Sequence, residues 1–378
     1  MIPYGKHAVN QTDIDAVVKV LEQQFLTQGE QVPAFEQALA TYCQSQYAVA
    51  VNSGTSALHI ACLAIGVGEG DVVWTSPLSF VASANCALYC GAKVDFVDID
   101  AVTRNLCVDN LAQKLATATQ LPKALVVVHY AGVSCDMQAI SALAKQYGFA
   151  VIEDACHGLG GQYQNKPIGS CQYSDMTVLS FHPVKSITTA EGGAVLTNNP
   201  ELQKQLVLYA KHGITRDESL MQQPSPGDWY YEQIALGFNY RLSDLHAALG
   251  ISQLNRLDDF IQRRRRLVKN YQQQLQTLPL QLPDMQQVDT SAWHIYTVAL
   301  KEHDRRQVFN ALKAKGIGVN VHYIPIHLQP YYRQLGFKLG DFPIAEGFYH
   351  RALTLPLYPD LSDAEQTQVV DVLHEVLS

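Results

Sequence analysis

No run in this 378-residue chain approaches the ~20 consecutive apolar residues that a bilayer-spanning helix needs. The opening residues Met1-Ile2-Pro3-Tyr4 lack the basic start and apolar block of a secretory signal peptide, so a cytoplasmic protein is expected. Cysteine is scattered over eight positions with no Cys-x-x-Cys pair and no metal-ligand spacing. These read as reduced thiols, and no metal centre is expected. Cys86 and Cys90, four apart, suit small buried positions on one helix. Positive charge is in deficit: 27 Lys and Arg against 35 Asp and Glu leave a net charge of −8, which argues against a nucleic-acid partner. It does not bar an anionic small molecule, for which a few N–H groups and cations suffice. Internal repeats and low-complexity tracts are also missing.

What is present is alternation. The length suits one large domain and one smaller one, expected at 1–240 and 241–378. Strands are predicted at Tyr47 to Val51, Val72 to Thr75, Val94 to Val97, Ala124 to Val128, Ala150 to Glu153, Thr177 to Ser180 and Gly193 to Thr197. Helices fall between them at Ser56 to Ile65, Ser79 to Cys90, Val108 to Ala118 and Met137 to Tyr147. Continuous apolar strands separated by amphipathic helices predict an α/β fold with a mostly parallel seven-stranded sheet covered on both faces. Two helices precede it. Thr12 is the expected cap of the first, with Ile14, Val17, Val18, Leu21 and Phe25 as its apolar stripe. The second runs from about Pro33 to Cys43 with Phe35, Leu39 and Tyr42 inward. Thr215 to Trp229 reads as a polar loop. A long helix capped by Ser243 follows, with Arg263 to Arg266 as a solvated face. The smaller domain is predicted as strand His294 to Leu300, helix Asp304 to Lys315, strand Gly318 to Tyr323 and a last helix from Ser362 to Leu377.

Lys185 stands in the turn between the sixth and seventh strands, within Ser180-Phe181-His182-Pro183-Val184-Lys185-Ser186-Ile187-Thr188-Thr189-Ala190-Glu191-Gly192-Gly193. A lysine beside a core loses hydration, and burial depresses its pKa and frees the lone pair that forms Schiff bases. A turn lysine pointing to solvent is the plainer alternative. Its company separates the two. Asp154 ends an apolar strand, where a carboxylate can pair with a pyridinium nitrogen. Asn52-Ser53-Gly54-Thr55-Ser56-Ala57-Leu58 makes a strand-to-helix turn whose N–H groups, hydroxyls and positive helix end suit a phosphate. Gly54, Asp154 and Ser180 all fall at carboxyl ends of strands, where ligands bind in such sheets.

The order Ser-Gly-Thr-Ser-Ala-Leu, Pro-Leu-Ser-Phe-Val-Ala-Ser-Ala-Asn, Glu-Asp-Ala-Cys-His, Ser-Phe-His-Pro-Val-Lys, Glu-Gly-Gly and Gly-Phe-Asn-Tyr-Arg-Leu resembles the DegT/DnrJ/EryC1/StrS family of sugar aminotransferases, which depend on pyridoxal 5′-phosphate (PLP). The resemblance spans nearly the whole chain and implies the type I fold of PLP-dependent transferases. Leu26-Thr27-Gln28-Gly29, His129-Tyr130-Ala131-Gly132 and Val321-His322-Tyr323-Ile324-Pro325-Ile326 resemble most the members of the pseudaminic acid pathway. Those aminate C4 of a UDP-linked 4-keto-6-deoxy-N-acetylhexosamine, with L-glutamate as expected donor.

The resemblance implies roles. Lys185 is the Schiff-base and proton-transfer residue, and Asp154 the ring-nitrogen partner. Phe80 would stack on the ring, although the residue itself reads first as a core phenylalanine. His157 would bond the phenolic oxygen or orient Asp154, or be structural. Gly54, Thr55 and Ser180 would hold the phosphate, with Asn239 reaching it from the other subunit of a homodimer with shared sites. Tyr4, Gln24, Phe25, Leu26, Thr27, His322, Tyr323, Ile324 and Pro325 would meet the nucleotide sugar. Cys156 stands where the family commonly has alanine, a small change for a buried thiol. Relatives that carry histidine in place of the Schiff-base lysine dehydrate instead; here Lys185 holds that slot and His182 is out of register. An aminotransferase for another UDP- or dTDP-linked keto sugar, a dehydratase, and a PLP-binding regulator are the competing readings.

Overall fold

The computed structural model describes residues 1–377. The first helix, α1 (Gln11–Gln23), is capped by Asn10 and not by Thr12. The Asn10 side chain accepts from the Asp13 N–H and the Asp13 carboxylate accepts from the Asn10 N–H, a reciprocal capping box. Thr12 already lies inside the helix. The expected stripe is also corrected: Ile14, Val18, Leu21 and Phe25 are exposed, while Asp13 and Val20 face inward. Buried Asp13 accepts hydrogen bonds from Ser252 and Gln253 and pairs with Arg256, so polar bonds anchor this helix. In α2 (Gln31–Cys43), Phe35 and Leu39 are buried as expected, and Tyr42 is half-buried with its hydroxyl on Asp258.

The seven strands predicted for the large sheet all form, with small boundary shifts. In chain order they are β1 (Tyr47–Val51), β2 (Val72–Thr75), β3 (Lys93–Phe96), β4 (Ala124–Val128), β5 (Ala150–Asp154), β6 (Met176–Ser180) and β7 (Gly193–Thr197). Between them lie α3 (Gly54–Ala64), α4 (Ala82–Tyr89), α5 (Val108–Thr117) and α6 (Met137–Tyr147), and α7 (Pro200–Ala210) follows. They make one seven-stranded sheet in the order β1-β7-β6-β5-β4-β2-β3. Only β7 runs antiparallel to its neighbours, which leaves β1, β4, β5 and β6 with their carboxyl ends on one edge. Apolar clusters on both faces bury β1, β4, β5, β6 and β7, which explains their unbroken Val, Ile, Leu and Ala runs.

The long helix is two helices: α8 (Asp244–Leu254), capped by Ser243 as expected, and α9 (Leu257–Gln274). The second sheet is β8 (Leu280–Gln281), β9 (Tyr296–Leu300) and β10 (Ala352–Leu355), antiparallel in that order. The expected strand at Gly318 to Tyr323 is not one; only Asn320 bridges Thr354. The remaining helices are α10 (Arg305–Ala314), α11 (Pro330–Gln334), α12 (Pro343–Arg351) and α13 (Asp363–Leu377). Leu267 and Tyr271 of α9 join β9, β10, α10 and α13 in one core.

The arginine run on α9 is not a solvated face. Each successive residue turns about 100° around a helix, so four in a row cannot share one side. Arg264 points inward, 1% exposed, and donates to the carbonyls of Trp293, His294 and Leu357 at 3.0–3.3 Å. Arg265 donates to Ser291 O, and Arg263 to Leu361 O. The run ties α9 to the segments that enter β9 and leave β10. Arg264→Met, close in volume but without donors, strands three carbonyls. It is expected to lower the unfolding free energy by about 3–5 kcal/mol. A urea melt checks this, and a change under about 1 kcal/mol would contradict the role.

Candidate active site

A cavity of about 380 Å³ lies at the carboxyl edge of the large sheet. Its floor is the ends of three parallel strands: Val128 of β4, Asp154 of β5 and Ser180 of β6. Ser53, Gly54 and Thr55, the cap and first two residues of α3, form one wall, and Phe80, before α4, forms another. Tyr4, His294, His322 and Tyr323 close it from the side of the second sheet. Lys185 enters from the turn between β6 and β7. Phe181 N–H to Gly192 O and Thr189 N–H to Phe181 O hold that turn, and Thr188 Oγ1 donates to the same carbonyl. The sequence therefore brings Lys185, Asp154, the Gly54 turn, Phe80, His157, Ser180, Tyr4, His322 and Tyr323 into one cavity. Phe80 is 59% exposed, so it is a lining residue and not core.

Burial pushes the Lys185 ammonium below the ordinary lysine value, against the pull of Cys156 and Asp154. A lower pKa raises the share of free amine, the form that attacks a carbonyl and accepts protons. Asp154 is buried and oriented: Ser83 Oγ donates to Oδ2 at 2.6 Å, and the Cys156 N–H donates to Oδ1 at 3.2 Å. Ser83 in turn lies 2.7 Å from Ser79. His157 does not orient Asp154, contrary to one of its two expected roles. Its Nε2 lies 3.1 Å from the Tyr323 hydroxyl, and its ring packs 4.3 Å from His294. Burial raises the Cys156 thiol, with the Asp154 charge adding to it, so it stays a neutral thiol as the small-residue reading expects.

At the start of α3 the Ser53 side chain accepts the Ser56 N–H at 3.0 Å. Gly54 and Thr55, in the first turn of α3, line the cavity, where the helix end favours an anion. A Cβ at Gly54 would stand 2.9 Å from Ser180 Cβ, so only glycine lets the turn approach the end of β6 this closely. Gly132 has a similar reason: at φ +93°, a Cβ there would meet His157 O at 2.7 Å and Trp293 N at 2.8 Å.

Other expected site residues lie elsewhere. Gln24, Phe25, Leu26 and Thr27 do not line the cavity: Gln24 bonds Gln31, Leu26 O accepts from Asp244 N–H, and Phe25 is 78% exposed. Ile324 and Pro325 also fall outside its lining. Asn239 does not line it either, but its carbonyl accepts weakly from Asn52 Nδ2 at 3.4 Å, next to the Gly54 turn. Sequence reasoning missed Ser83 and His294. Ser83 was within reach, because it sits one helical turn after Ser79, on the same face. His294 had no local signal.

Three histidines near Lys185 are held neutral. Burial pushes His322 down to about 4, and Lys185 adds to it. His157 and His294 are driven well below the usual value, again first by burial. Each must take up a proton on unfolding once the pH falls below about 6.5, the unfolded value. Their stability cost is therefore absent above that pH and grows as the pH drops toward the folded values. The slope is at most about 1.4 kcal/mol per pH unit for each histidine. Melting temperature is expected to fall from pH 7 to pH 5, with a shallower fall in His322→Phe. An identical slope in that variant would contradict the assignment.

The site fits PLP on its own geometry. The Gly54 turn and Ser180 make a close anion cradle, Asp154 is a fixed carboxylate at the right strand end, and Lys185 is a desolvated amine. His157 Nδ1 is a buried polar atom without a partner. Fold and site together define a PLP-dependent aminotransferase. The profile of the DegT/DnrJ/EryC1/StrS aminotransferase family matches residues 7–374, and the chain belongs to that family. It is 37% identical to the Campylobacter jejuni UDP-4-amino-4,6-dideoxy-N-acetyl-beta-L-altrosamine transaminase, over all of this chain and 98% of that protein. It is 39% identical to the spore coat polysaccharide biosynthesis protein SpsC of Bacillus subtilis, over all of this chain and 97% of that one. Among solved structures it matches Helicobacter pylori PseC, an aminotransferase involved in the biosynthesis of pseudoaminic acid. That match has a TM-score of 0.91 and 30% identity, over all of this chain and 99% of that one. The protein is thus a nucleotide-sugar aminotransferase. Among the described residues no helix is long and apolar enough to cross a membrane.

Proposed function

We propose that the protein transfers the amino group of L-glutamate to C4 of a UDP-linked 4-keto-6-deoxy-N-acetylhexosamine, UDP-2-acetamido-2,6-dideoxy-β-L-arabino-hex-4-ulose. The product is UDP-4-amino-4,6-dideoxy-N-acetyl-β-L-altrosamine, a precursor for pseudaminic acid. The observation that carries the reading is one cavity that joins a desolvated Lys185, a fixed Asp154 and the Gly54–Ser180 cradle. The names of the Campylobacter and Helicobacter relatives support the substrate.

Gly54, Thr55 and Ser180 would hold the cofactor phosphate, Phe80 its ring face and Asp154 its ring nitrogen. The cofactor supplies the electron sink and the carbonyl that carries the amino group. Lys185 Nζ would take the proton from the reacting carbon of the donor and deliver one to the reacting carbon of the sugar. Tyr323 and His157, joined at 3.1 Å, hold a neutral donor–acceptor pair at the cavity wall. Tyr4 and His322, with ring centroids 5.5 Å apart, border the space for the sugar.

The active unit is a cytoplasmic homodimer. Asn239 and the segment Gln24 to Thr27, which lie off this chain's own cavity, serve the cavity of the second copy. The exposed apolar stripe of Ile14, Val18, Leu21, Phe25 and Leu26 supplies apolar surface for that contact. Light scattering is expected to give a dimer, and an active monomer would contradict the shared site. The substrate is tested with a panel of UDP- and dTDP-linked 4-keto and 3-keto sugars, with products read by mass spectrometry and NMR. Amination at C4 of the UDP-linked N-acetyl sugar is expected. Preference for a dTDP-sugar or a 3-keto position would overturn the assignment within the same chemistry.

A further inference from the structure

Three of the eight cysteines meet where α3 packs against α4. Cys62 stands in the last turn of α3. Cys86 and Cys90 stand four apart on α4, the second as its C-terminal cap, so both face the same neighbour. The Cys62 thiol is in hydrogen-bonding contact with both of them. The Cys86 thiol donates to Ser83 O at 3.3 Å, which leaves the Cys90 sulfur as the acceptor for Cys62. His59, one turn before Cys62, completes the group. Its ring centroid lies 5.4 Å from that of Tyr89, and its Nδ1 lies 3.1 Å from the Tyr240 hydroxyl. The other ring nitrogen is left for Cys90, which His59 also contacts. None of the four lines the active-site cavity, and among the described residues no three such side chains are placed to hold a metal ion.

These contacts set Cys90 apart from its neighbours. The Cys62 thiol donating to it, and then His59, hold the Cys90 sulfur below the ordinary thiol value, against burial. The bonds to Cys86 and Cys90, with burial, hold Cys62 well above that value. The helix end does not help Cys90, since the C-terminus of α4 disfavours an anion. Exposure divides the three as well. Cys62 and Cys86 are fully buried, whereas Cys90 is partly open. One sulfur is therefore reachable and the most readily ionised, and a second, buried and protonated, touches it. A thiolate so placed attacks peroxides, and an adjoining thiol resolves the product.

We propose that Cys90 is a peroxide-reactive site and that Cys62 closes it as a reversible disulfide. The oxidant is a hydroperoxide, hydrogen peroxide in the simplest case. The Cys90 thiolate attacks one peroxide oxygen: an S–O bond forms, the O–O bond breaks, and hydroxide leaves. The sulfur is oxidised to a sulfenic acid and the peroxide is reduced. The Cys62 sulfur, giving up its proton, then attacks the sulfenic sulfur. The S–S bond forms, the S–O bond breaks, and that oxygen leaves as water. The net change is two thiols and one hydrogen peroxide to one disulfide and two waters. A thiol reductant restores both cysteines by exchange. Without Cys62 the sulfenic acid would go on to sulfinic acid, a fixed charge at the C-terminal end of α4 beside an apolar core. The bridge thus keeps the contact between α3 and α4 repairable. That contact supports the active site, since α3 starts with the Gly54 and Thr55 wall and α4 bears Ser83, which holds Asp154.

The test is peptide mapping of the PLP-loaded protein after hydrogen peroxide and then iodoacetamide. Cleavage after Glu69 and after Tyr89 places Cys62, Cys86 and Cys90 on separate peptides. Mass spectrometry is expected to find the Cys62 and Cys90 peptides joined in more than about half of the chains, and free again after dithiothreitol. In Cys62→Ala a 1,3-dione probe should capture Cys90 sulfenic acid at about tenfold or more the wild-type level. With more peroxide, dithiothreitol should restore the Cys90 thiol in the wild type and fail to do so in Cys62→Ala. In Cys90→Ser, Cys62 should remain a free thiol. Thermal melts confirm that each variant is folded, and the wild-type map needs no variant. Cys90 left as a free thiol, or Cys62 joined to Cys86 instead, overturns the proposal. So does Cys90 oxidised to sulfinic acid equally in the wild type and Cys62→Ala, which would make Cys62 a bystander.

Discussion

Lys185→Ala is expected to lower turnover on the order of 10⁴-fold or more while the protein stays folded. Two functions leave with one amine: the covalent attachment of the cofactor and the proton transfer at the reacting carbons. Burial lowers the Lys185 pKa, and Cys156 and Asp154 limit the shift, so the amine can lose its proton without leaving the cavity. Alanine should not destabilise the chain, because it removes a charge that burial disfavours. The bound-cofactor absorbance is expected to change to that of PLP held without a lysine bond. Steady-state assays and a melt of the same sample make the check. Turnover within tenfold of wild type would end the assignment of Lys185.

Asp154→Asn is the second large effect. The substitution keeps shape but removes the negative charge that holds a ring nitrogen protonated. It also sets an amide against two groups that already donate to this position, Ser83 Oγ and the Cys156 N–H. One side of the amide can accept; the other is a donor facing a donor. A drop in single-turnover rate with L-glutamate of about 10²–10³-fold is expected, the size seen when one preorganised electrostatic partner is lost. The rate of the donor step reads this directly, apart from any effect on the sugar. A loss of threefold or less would show that Asp154 is a structural carboxylate.

The fold was legible where sequence pattern and burial coincide. Runs of Val, Ile, Leu and Ala marked β1, β4, β5, β6 and β7 because these strands are buried on both faces. Gly54, Asp154 and Ser180 could be joined in advance because each ends or follows a strand on the same sheet edge. The failures have one cause: a local pattern whose meaning is set by a distant contact. Arg263 to Arg266 read as a solvated face, yet Arg264 finds carbonyls at Trp293, His294 and Leu357, far along the chain. The stripe on α1 read as an inner face, yet the inner face is built on Asp13, whose partners Ser252, Gln253 and Arg256 lie about 240 residues away. The expected strand at Gly318 to Tyr323 lost its place to Ala352–Leu355, which pairs along β9. At the site, Ser83 was readable from its spacing to Ser79. His294 was not, since it is brought to His157 by backbone bonds to a stretch far along the chain, His294 N–H to Ala131 O and Ala292 N–H to Gly132 O.

The ultraviolet–visible spectrum of the purified protein, before and after L-glutamate, tests the central claim most directly. It reads cofactor, lysine and donor in one cuvette, without the sugar. The account predicts a band from lysine-bound PLP that converts to the pyridoxamine form on adding the amino acid, and returns with 2-oxoglutarate. A protein that shows no such band even after PLP is added would contradict it, and Lys185 would then be only a buried turn lysine.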